Sequence, residues 1–554
     1  LKQRWKYKVG IVIGALAVVL AGCSSSMEGM DHSGMNMGTE SAEPSSNASL
    51  TASPSASPSG QTVKTEVLTG KEFNLTAEAS NQEIAPGKTL PVWTFNNSVP
   101  GPQIRVKQGD TVKINLKNEL SVPVTIHWHG VPVPNAMDGI PGVTQNAVQP
   151  GQTFTYEFKA NVPGTYWYHS HQDSVNQLDR GLYGSFIVEG NDDEKVDRDY
   201  TLMLDEWISS GETMDMSGGM SGMDMTDGED MSGMDMSSMD HNGMDMGNDA
   251  SSSSDSSMGT MSMGDDMSMY DLFSINGKSG SLVDQLPVKE GDKVRIRLIN
   301  AGYMSHQIHL HGHEFKIIST DGQPINNPGI IKDNVINIAP GERYDIEFTA
   351  NNPGQWLIED HSDNKAASGM KAMIVYEGAA AGSDKSNATE KLAAVDLTQY
   401  GQAGKTTFTL DQKYDVEYTM NLNTEMQNGN MVYTINDKTF PNTDPLNVKK
   451  GDTVKVKLVN NSKSDDHPMH LHGHFFQVLS KNGKPLEGSP VFKDTINVKP
   501  GEEYVVAFKA DNPGNWMFHC HDLHHASAGM VTELKYTDYK TDFVADPNAG
   551  NMPE

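Results

Sequence analysis

Residues His519 to Met530 read His-Cys-His-Asp-Leu-His-His-Ala-Ser-Ala-Gly-Met. A thiolate, two imidazoles and a long axial thioether make a blue-copper electron-transfer site. In an extended segment His519 and His521 face away from Cys520. They can then hold a second metal on the far side, one peptide step from the sulfur. That arrangement predicts a redox enzyme rather than a passive copper carrier.

Three more histidine pairs share the i, i+2 spacing: His127 with His129, His169 with His171, and His470 with His472. On a strand, i and i+2 lie on one side, so each pair presents two imidazoles together. One pair arises easily by chance. Four pairs supply eight imidazoles, which suits a three-copper cluster taking two or three nitrogens per ion.

The elements that must position these side chains are strands. Short apolar-alternating runs separated by Pro-Gly and Gly-Asp turns begin near Thr62, and no long helical period occurs. One unit recurs as QGDTVKINLKN from 108, EGDKVRIRLIN from 290 and KGDTVKVKLVN from 450. A histidine cluster follows each copy, and later a Pro-Gly-x-x-Trp-like run. The expected organisation is all-β, with three consecutive Greek-key sandwiches at 62–190, 195–380 and 390–540 and a tail at 541–554. The first and third carry the histidine pairs.

The chain has 554 residues and a formal charge of −30, from 42 basic and 72 acidic side chains. This argues against nucleic acid and anionic membrane surfaces as partners. Its two cysteines, Cys23 and Cys520, are not a disulfide framework. A basic start and the apolar run Val9 to Leu20 read as an export signal. Leu20-Ala21-Gly22-Cys23 resembles a bacterial lipobox, which implies a signal segment 1–23, lipidation of Cys23, and anchoring at the outer face of the cell membrane or in the periplasm. Residues 24–61, rich in Ser, Pro and Met, read as a disordered tether.

Segment 211–269 interrupts the second repeat with sixteen Met, thirteen Asp or Glu, one His and no Lys or Arg. It lacks other large apolar residues for a core. Thioethers select Cu(I), and the carboxylates add a cation-gathering potential. Met214, Met216, Met220, Met223, Met225, Met231, Met234 and Met236 are the candidate capture residues, with a solvated low-complexity loop as the alternative.

The four motifs, as His-x-His, His-x-His, His-Pro-x-His-x-His and His-Cys-His-x-x-x-His-x-x-x-x-Met, resemble those of the multicopper oxidases, a cupredoxin family. The Met-rich segment and the leader resemble the three-domain oxidases of bacterial copper resistance, and laccase-like members share the same motifs. The resemblance implies four copper ions. A type 1 copper would be held by His467, Cys520, His525 and Met530, and a type 2 copper by His127 and His470. A type 3 pair would take His129, His169, His171, His472, His519 and His521. It further implies electron entry at an edge of His467 or His525, passage through Cys520 to His519 and His521, and reduction of O2 to water. Asp138 matches a family acid that relays protons or orients a water, with a plain turn residue as the alternative. Some members carry a glutamate after the second type 1 histidine; here Ala526 stands there, and Asp522 is the substitute candidate.

Asp465 and Asp466, just before His467, are candidates for docking a cationic reductant, Cu(I), with small phenols as the other reductant class. A copper-sequestering lipoprotein and a phenol-directed laccase are the competing functions. In the second repeat, Asp360 falls at the cysteine position and Lys365 at the second type 1 histidine, so no blue copper is expected there. His306, His309, His311 and His361 remain, as a relic held by hydrogen bonds or as lining of an accessory metal site.

Overall fold

The computed structural model describes residues 65–211, 269–378, 391–427 and 430–553. The leader, the tether and Met214 to Met236 lie outside the described residues.

The repeated unit folds the same way three times. Gly109, Gly291 and Gly451 take positive φ of 90°, 91° and 98° at the turn, where a side chain would be strained. The following aspartates, Asp110, Asp292 and Asp452, accept the backbone N–H of Lys107, Lys289 and Lys449. The strand then alternates. Val112, Ile114 and Leu116 point inward from Thr111–Asn118, and Val454, Val456 and Leu458 from Thr453–Asn460. In the middle copy, Lys293–Asn300, both faces are buried. Its outward residues Arg295 and Arg297 are paired with Glu347 and with Asp199 and Asp345, as burial of a charge requires.

Each unit ends in a buried asparagine that sequence reading passed over. Asn118, Asn300 and Asn460 donate to two carbonyls each: Val122 and Val148, Met304 and Ile338, Asp465 and Val498. Each thereby ties the loop leading into a histidine cluster to a strand or segment further on. The shared Asn in the three copies was the sequence signal for this role.

The chain forms three two-sheet sandwiches. In the first, a five-stranded sheet with Gly101–Lys107, Tyr183–Glu189, Gly164–His169 and His127–His129 faces a four-stranded sheet with Glu72–Ala85 and Thr111–Asn118. Phe73, Ile104, Ile114, Trp128, Tyr156 and Phe186 fill the space between. The second has two six-stranded sheets, and the third a seven-stranded and a five-stranded sheet. A continuous apolar core runs through the second and third.

Candidate metal centre

Two strand pairs carry the histidines. His127–His129 runs antiparallel to Gly164–His169 with His127 opposite His169. In the third sandwich His467–Leu471 runs antiparallel to Asn515–Cys520, with His470 opposite His519 and Met469 opposite Cys520. Alternation then sorts the side chains. His467 and Cys520 share one face; His470, His472, His519 and His521 share the other. The local fold holds this register. Gly473, at φ +68°, leaves room for the Trp516 ring, which a Cβ would approach to 2.6 Å. Trp516 in turn donates to the Asn512 carbonyl.

On the Cys520 face, Sγ lies 3.8 Å from His467 Nδ1 and 3.6 Å from His525 Nδ1, and those two nitrogens are 3.3 Å apart. Cys520 and Met530 are fully buried. The Cys520 N–H donates to the Met530 carbonyl, and the Met530 N–H to the His525 carbonyl, so the backbone brings all four expected residues to one place. His525 sits on the short helix Leu523–Ser527, which Asp522 caps through the His524 N–H. Ser462 Oγ lies 2.8 Å from His467 Nε2, and Tyr433 stacks on His525 with ring centres 3.9 Å apart. Of the two candidate entry edges, His467 is 0% exposed with Ser462 beside it, whereas His525 keeps 8%.

On the other face eight imidazoles from two sandwiches converge. His129 stacks on His470 at 3.7 Å, and His127 on His472 at 4.0 Å. His171, His472 and His519 bring ring nitrogens within 4.8 Å of one another, as do His127, His129 and His169. His521 lies with His129 and His169, at ring distances of 4.7 and 5.5 Å. His127 and His470 are 5.9 Å apart between them. Burial, followed by repulsion from neighbouring imidazoles, holds His129, His169, His472, His519 and His521 well below the usual histidine range, and His171 at about 3. These six rings are neutral at neutral pH, as metal binding by imidazole requires.

Six of the rings donate Nδ1–H to an oxygen. The acceptors are the carbonyls of Asp138, Ser170, Pro553, Asp494 and Cys520 for His127, His169, His171, His470 and His519, and the Asp138 carboxylate for His472. This fixes the tautomer so that Nε2 carries the lone pair, the usual support for a metal ligand. His129 is reversed: its Nε2 lies 3.1 Å from Thr495 Oγ1, leaving Nδ1 to face the cluster. Among the described residues, His127 Nε2, His129 Nδ1, His169 Nε2, His470 Nε2 and both nitrogens of His521 are buried without a hydrogen-bond partner. Each such atom costs roughly 1–3 kcal/mol. Several aimed into one space fit a bound metal cluster.

Sequence reading found Asp138 but missed Asp494 and Arg343. Asp138 is 1% exposed, with Oδ2 3.0 Å from His472 Nδ1 and Oδ1 3.3 Å from His127 Nδ1. Asp494 lies 3.3 Å from His129 and 3.4 Å from His470, and takes a two-pronged bond from Arg343 at 2.7 and 2.6 Å. Burial works against its charge, but Arg343 holds Asp494 well below the usual carboxylate range. Arg343 also donates to the Thr165 carbonyl, so one guanidinium from the second sandwich locks the first and third around the cluster. Asp465 and Asp466 are half-buried; Asp466 accepts from Asn497 and Asp465 from Ser464.

Family models described as multicopper oxidase match residues 76–193, 240–379 and 409–540. The chain is 29% identical over 543 residues to multicopper oxidase MmcO of Mycobacterium tuberculosis, covering 94% of each chain. It is 24% identical over 580 residues to copper resistance protein A of Escherichia coli, covering 84% of this chain and 93% of that one. The crystal structure of a multi-copper oxidase from Pseudomonas thermotolerans superposes with a TM-score of 0.59 at 27% identity, over 85% of this chain and all of that one. The chain belongs to the multicopper oxidases, copper-dependent oxidoreductases of cupredoxin-like domains that use O2 and hold one type 1, one type 2 and two type 3 coppers.

Proposed function

We propose that this oxidase serves copper tolerance outside the cytosol, with Cu(I) as its main reductant and phenols as lesser ones, and that it reduces O2 to water. In this reading His467, Cys520, His525 and Met530 hold the type 1 copper, and His127 and His470 the type 2 copper. His129, His169, His171, His472, His519 and His521 hold the type 3 pair. Copper held by these residues would supply one-electron transfer on the Cys520 side and O2 reduction on the histidine side. The protein's part is geometric. Cys520 is covalently continuous with His519 and His521, so sulfur and cluster are one peptide step apart. Asp138, touching His127 and His472, is placed to hold a proton beside the cluster. Asp494, Arg343 and Thr495 fix the rings of His129 and His470.

The preference for Cu(I) rests chiefly on where segment 211–269 is attached. Its flanking residues Trp207, Ile208 and Tyr270 pack in one apolar cluster with Leu523, at the start of the helix that carries His525. The Tyr270 ring lies 6.4 Å from that of His524. A segment rich in thioethers and carboxylates is thus rooted beside the entry side of the blue-copper site. The relative called copper resistance protein A supports the same reading. Export and a lipid anchor on Cys23 belong to the proposal and rest on the leader sequence alone.

The test is excision of residues 211–269. Trp207 and Leu272 are cross-strand partners, so the cut leaves a short hairpin loop. Oxygen uptake with Cu(I) should fall several-fold, while uptake with a phenol stays level or rises. Equal loss with both, or no change in either, sinks the assignment of Cu(I).

A further inference from the structure

The second and third sandwiches share strand register as well as sequence. His306–Leu310 pairs with Gln355–Asp360 so that His309 faces Glu359 and Ile308 faces Asp360. His470 faces His519, and Met469 faces Cys520, in the third. Position for position, His309 stands where His470 stands, His311 for His472, Glu359 for His519 and His361 for His521. Asp360 and His306 occupy the opposite face, in the places of Cys520 and His467.

The two faces of this second copy have different fates. On the Asp360 face, His306 lies between Glu206 and Asp360, bonded to both, and the place is filled. On the other face the side chains converge with bonding capacity left over. His311 Nε2 is 2.9 Å from Glu359 Oε1 and 3.1 Å from His361 Nε2, and His361 Nε2 is 3.8 Å from Glu359 Oε1. The His309 ring lies 4.3 Å from that of His311 and 5.0 Å from that of His361. His309 donates Nδ1–H to the Asn334 carbonyl at 3.1 Å, as His470 does to the Asp494 carbonyl, so its Nε2 carries the lone pair. The side chains of His311, Glu359 and His361 are about nine-tenths buried or more. Among the described residues, His361 Nδ1 makes no hydrogen bond, and Glu359 Oε1 meets the two imidazoles only through these ion-pair contacts.

We propose that His309, His311, His361 and Glu359 form a separate mononuclear site for a borderline divalent cation, Zn2+ or Cu2+. Ligand atoms about 2.0–2.1 Å from a tetrahedral ion lie about 3.3 Å from one another; the three measured separations bracket that value. Three imidazoles and one carboxylate suit Zn2+ or Cu2+, whereas Cu(I) prefers thiolate and thioether, and Ca2+ and Mg2+ prefer oxygen. With Asp360 in the cysteine position, no sulfur bridges this ion to a blue copper, so it lies outside the electron path.

The test uses the full chain with its four coppers in place, exposed to Zn2+ and then passed through a desalting column. The parent should retain one Zn2+ per chain, with an X-ray absorption edge fitting nitrogen and oxygen neighbours. The double variant His311→Ala/His361→Ala should retain none, and Glu359→Gln should bind at least about tenfold more weakly. An unchanged blue band in each variant shows that the third sandwich is intact. The Met-rich segment is common to all three proteins, so it cancels in the comparison. Retention of no Zn2+ by the parent, or equal retention by parent and double variant, overturns the site. Should the double variant not fold, equal affinity of Glu359→Gln and the parent overturns it instead.

Discussion

The second and third sandwiches are built from the same strands in the same register, with the same Gly-Asp turn and the same buried asparagine. Even the histidine that steadies the loop is duplicated. His474 bonds Tyr536 and the His472 carbonyl, and His313 bonds Tyr376 and the His311 carbonyl. What separates the proposed electron port from a salt-bridged core is three positions: Cys520 against Asp360, His525 against Lys365, and His519 against Glu359. In the third sandwich the pocket is lined by sulfur and two ring nitrogens. In the second it closes around a carboxylate, an imidazole and a carboxylate, and Lys365 turns outward. The scaffold is therefore indifferent to copper. Each pocket is stable because its polar groups satisfy one another or a metal, and redox chemistry is decided by which of these occurs.

That comparison can be broken most sharply at Cys520. Cys520→Ser moves the third sandwich toward the second. It should abolish the blue band and lower oxygen uptake to background, while the eight cluster histidines still bind copper; a variant that kept turnover would refute the sulfur as electron port. The converse strike is His306→Asn, which leaves Glu206 and Asp360 buried without their cation. It should destabilise the chain by about 3–5 kcal/mol in thermal or denaturant unfolding. The cost depends on pH. Despite burial, Glu206 and Asp360 raise His306 to about 10, against about 6.5 in an unfolded chain. The stabilisation is complete below about pH 6.5 and disappears as pH rises through about 10. The gap between parent and variant should narrow over that interval, and a gap independent of pH would count against a charged His306. A smaller effect is expected from deleting residues 546–554, of which 549–553 reach the first sandwich and give the Pro553 carbonyl to His171. Loss of that acceptor should weaken copper retention about 10–100-fold in competition with a chelator, leaving the blue band in place. Unaltered retention would show that His171 needs no such support.

Much of this was legible because it was local. His-x-His spacing fixes a shared face on a strand whatever surrounds it, and three copies of one turn-strand unit set the sandwich count. The degenerate second site was visible from Asp360 and Lys365 alone. What escaped was contributed across sandwiches. Asp494 lies 24 positions after His470 and has no motif of its own; it matters because Arg343, from another sandwich, is bonded to it. Ser462 over His467, and the Pro553 carbonyl under His171, are tertiary neighbours with no spacing rule. The choice between the edges of His467 and His525 stayed open for that reason: periodicity gives the face of a residue, not what covers its rim. The split of the second-repeat histidines into one held between two carboxylates and three clustered ones likewise needed cross-strand register.

The pairing of His129 with His470, and of His171 with His519, has a consequence in time. A chain made from its N-terminus presents His127, His129, His169 and His171 early, but these are only half of the cluster. The other half comes later: His470 and His472 at the end of His467–Leu471, and His519 and His521 at the end of Asn515–Cys520, the last strand but one among the described residues. A chain without those strands cannot bring the eight imidazoles together, so copper loading of the cluster must follow synthesis of the whole third sandwich, and a truncated product would lack the complete set.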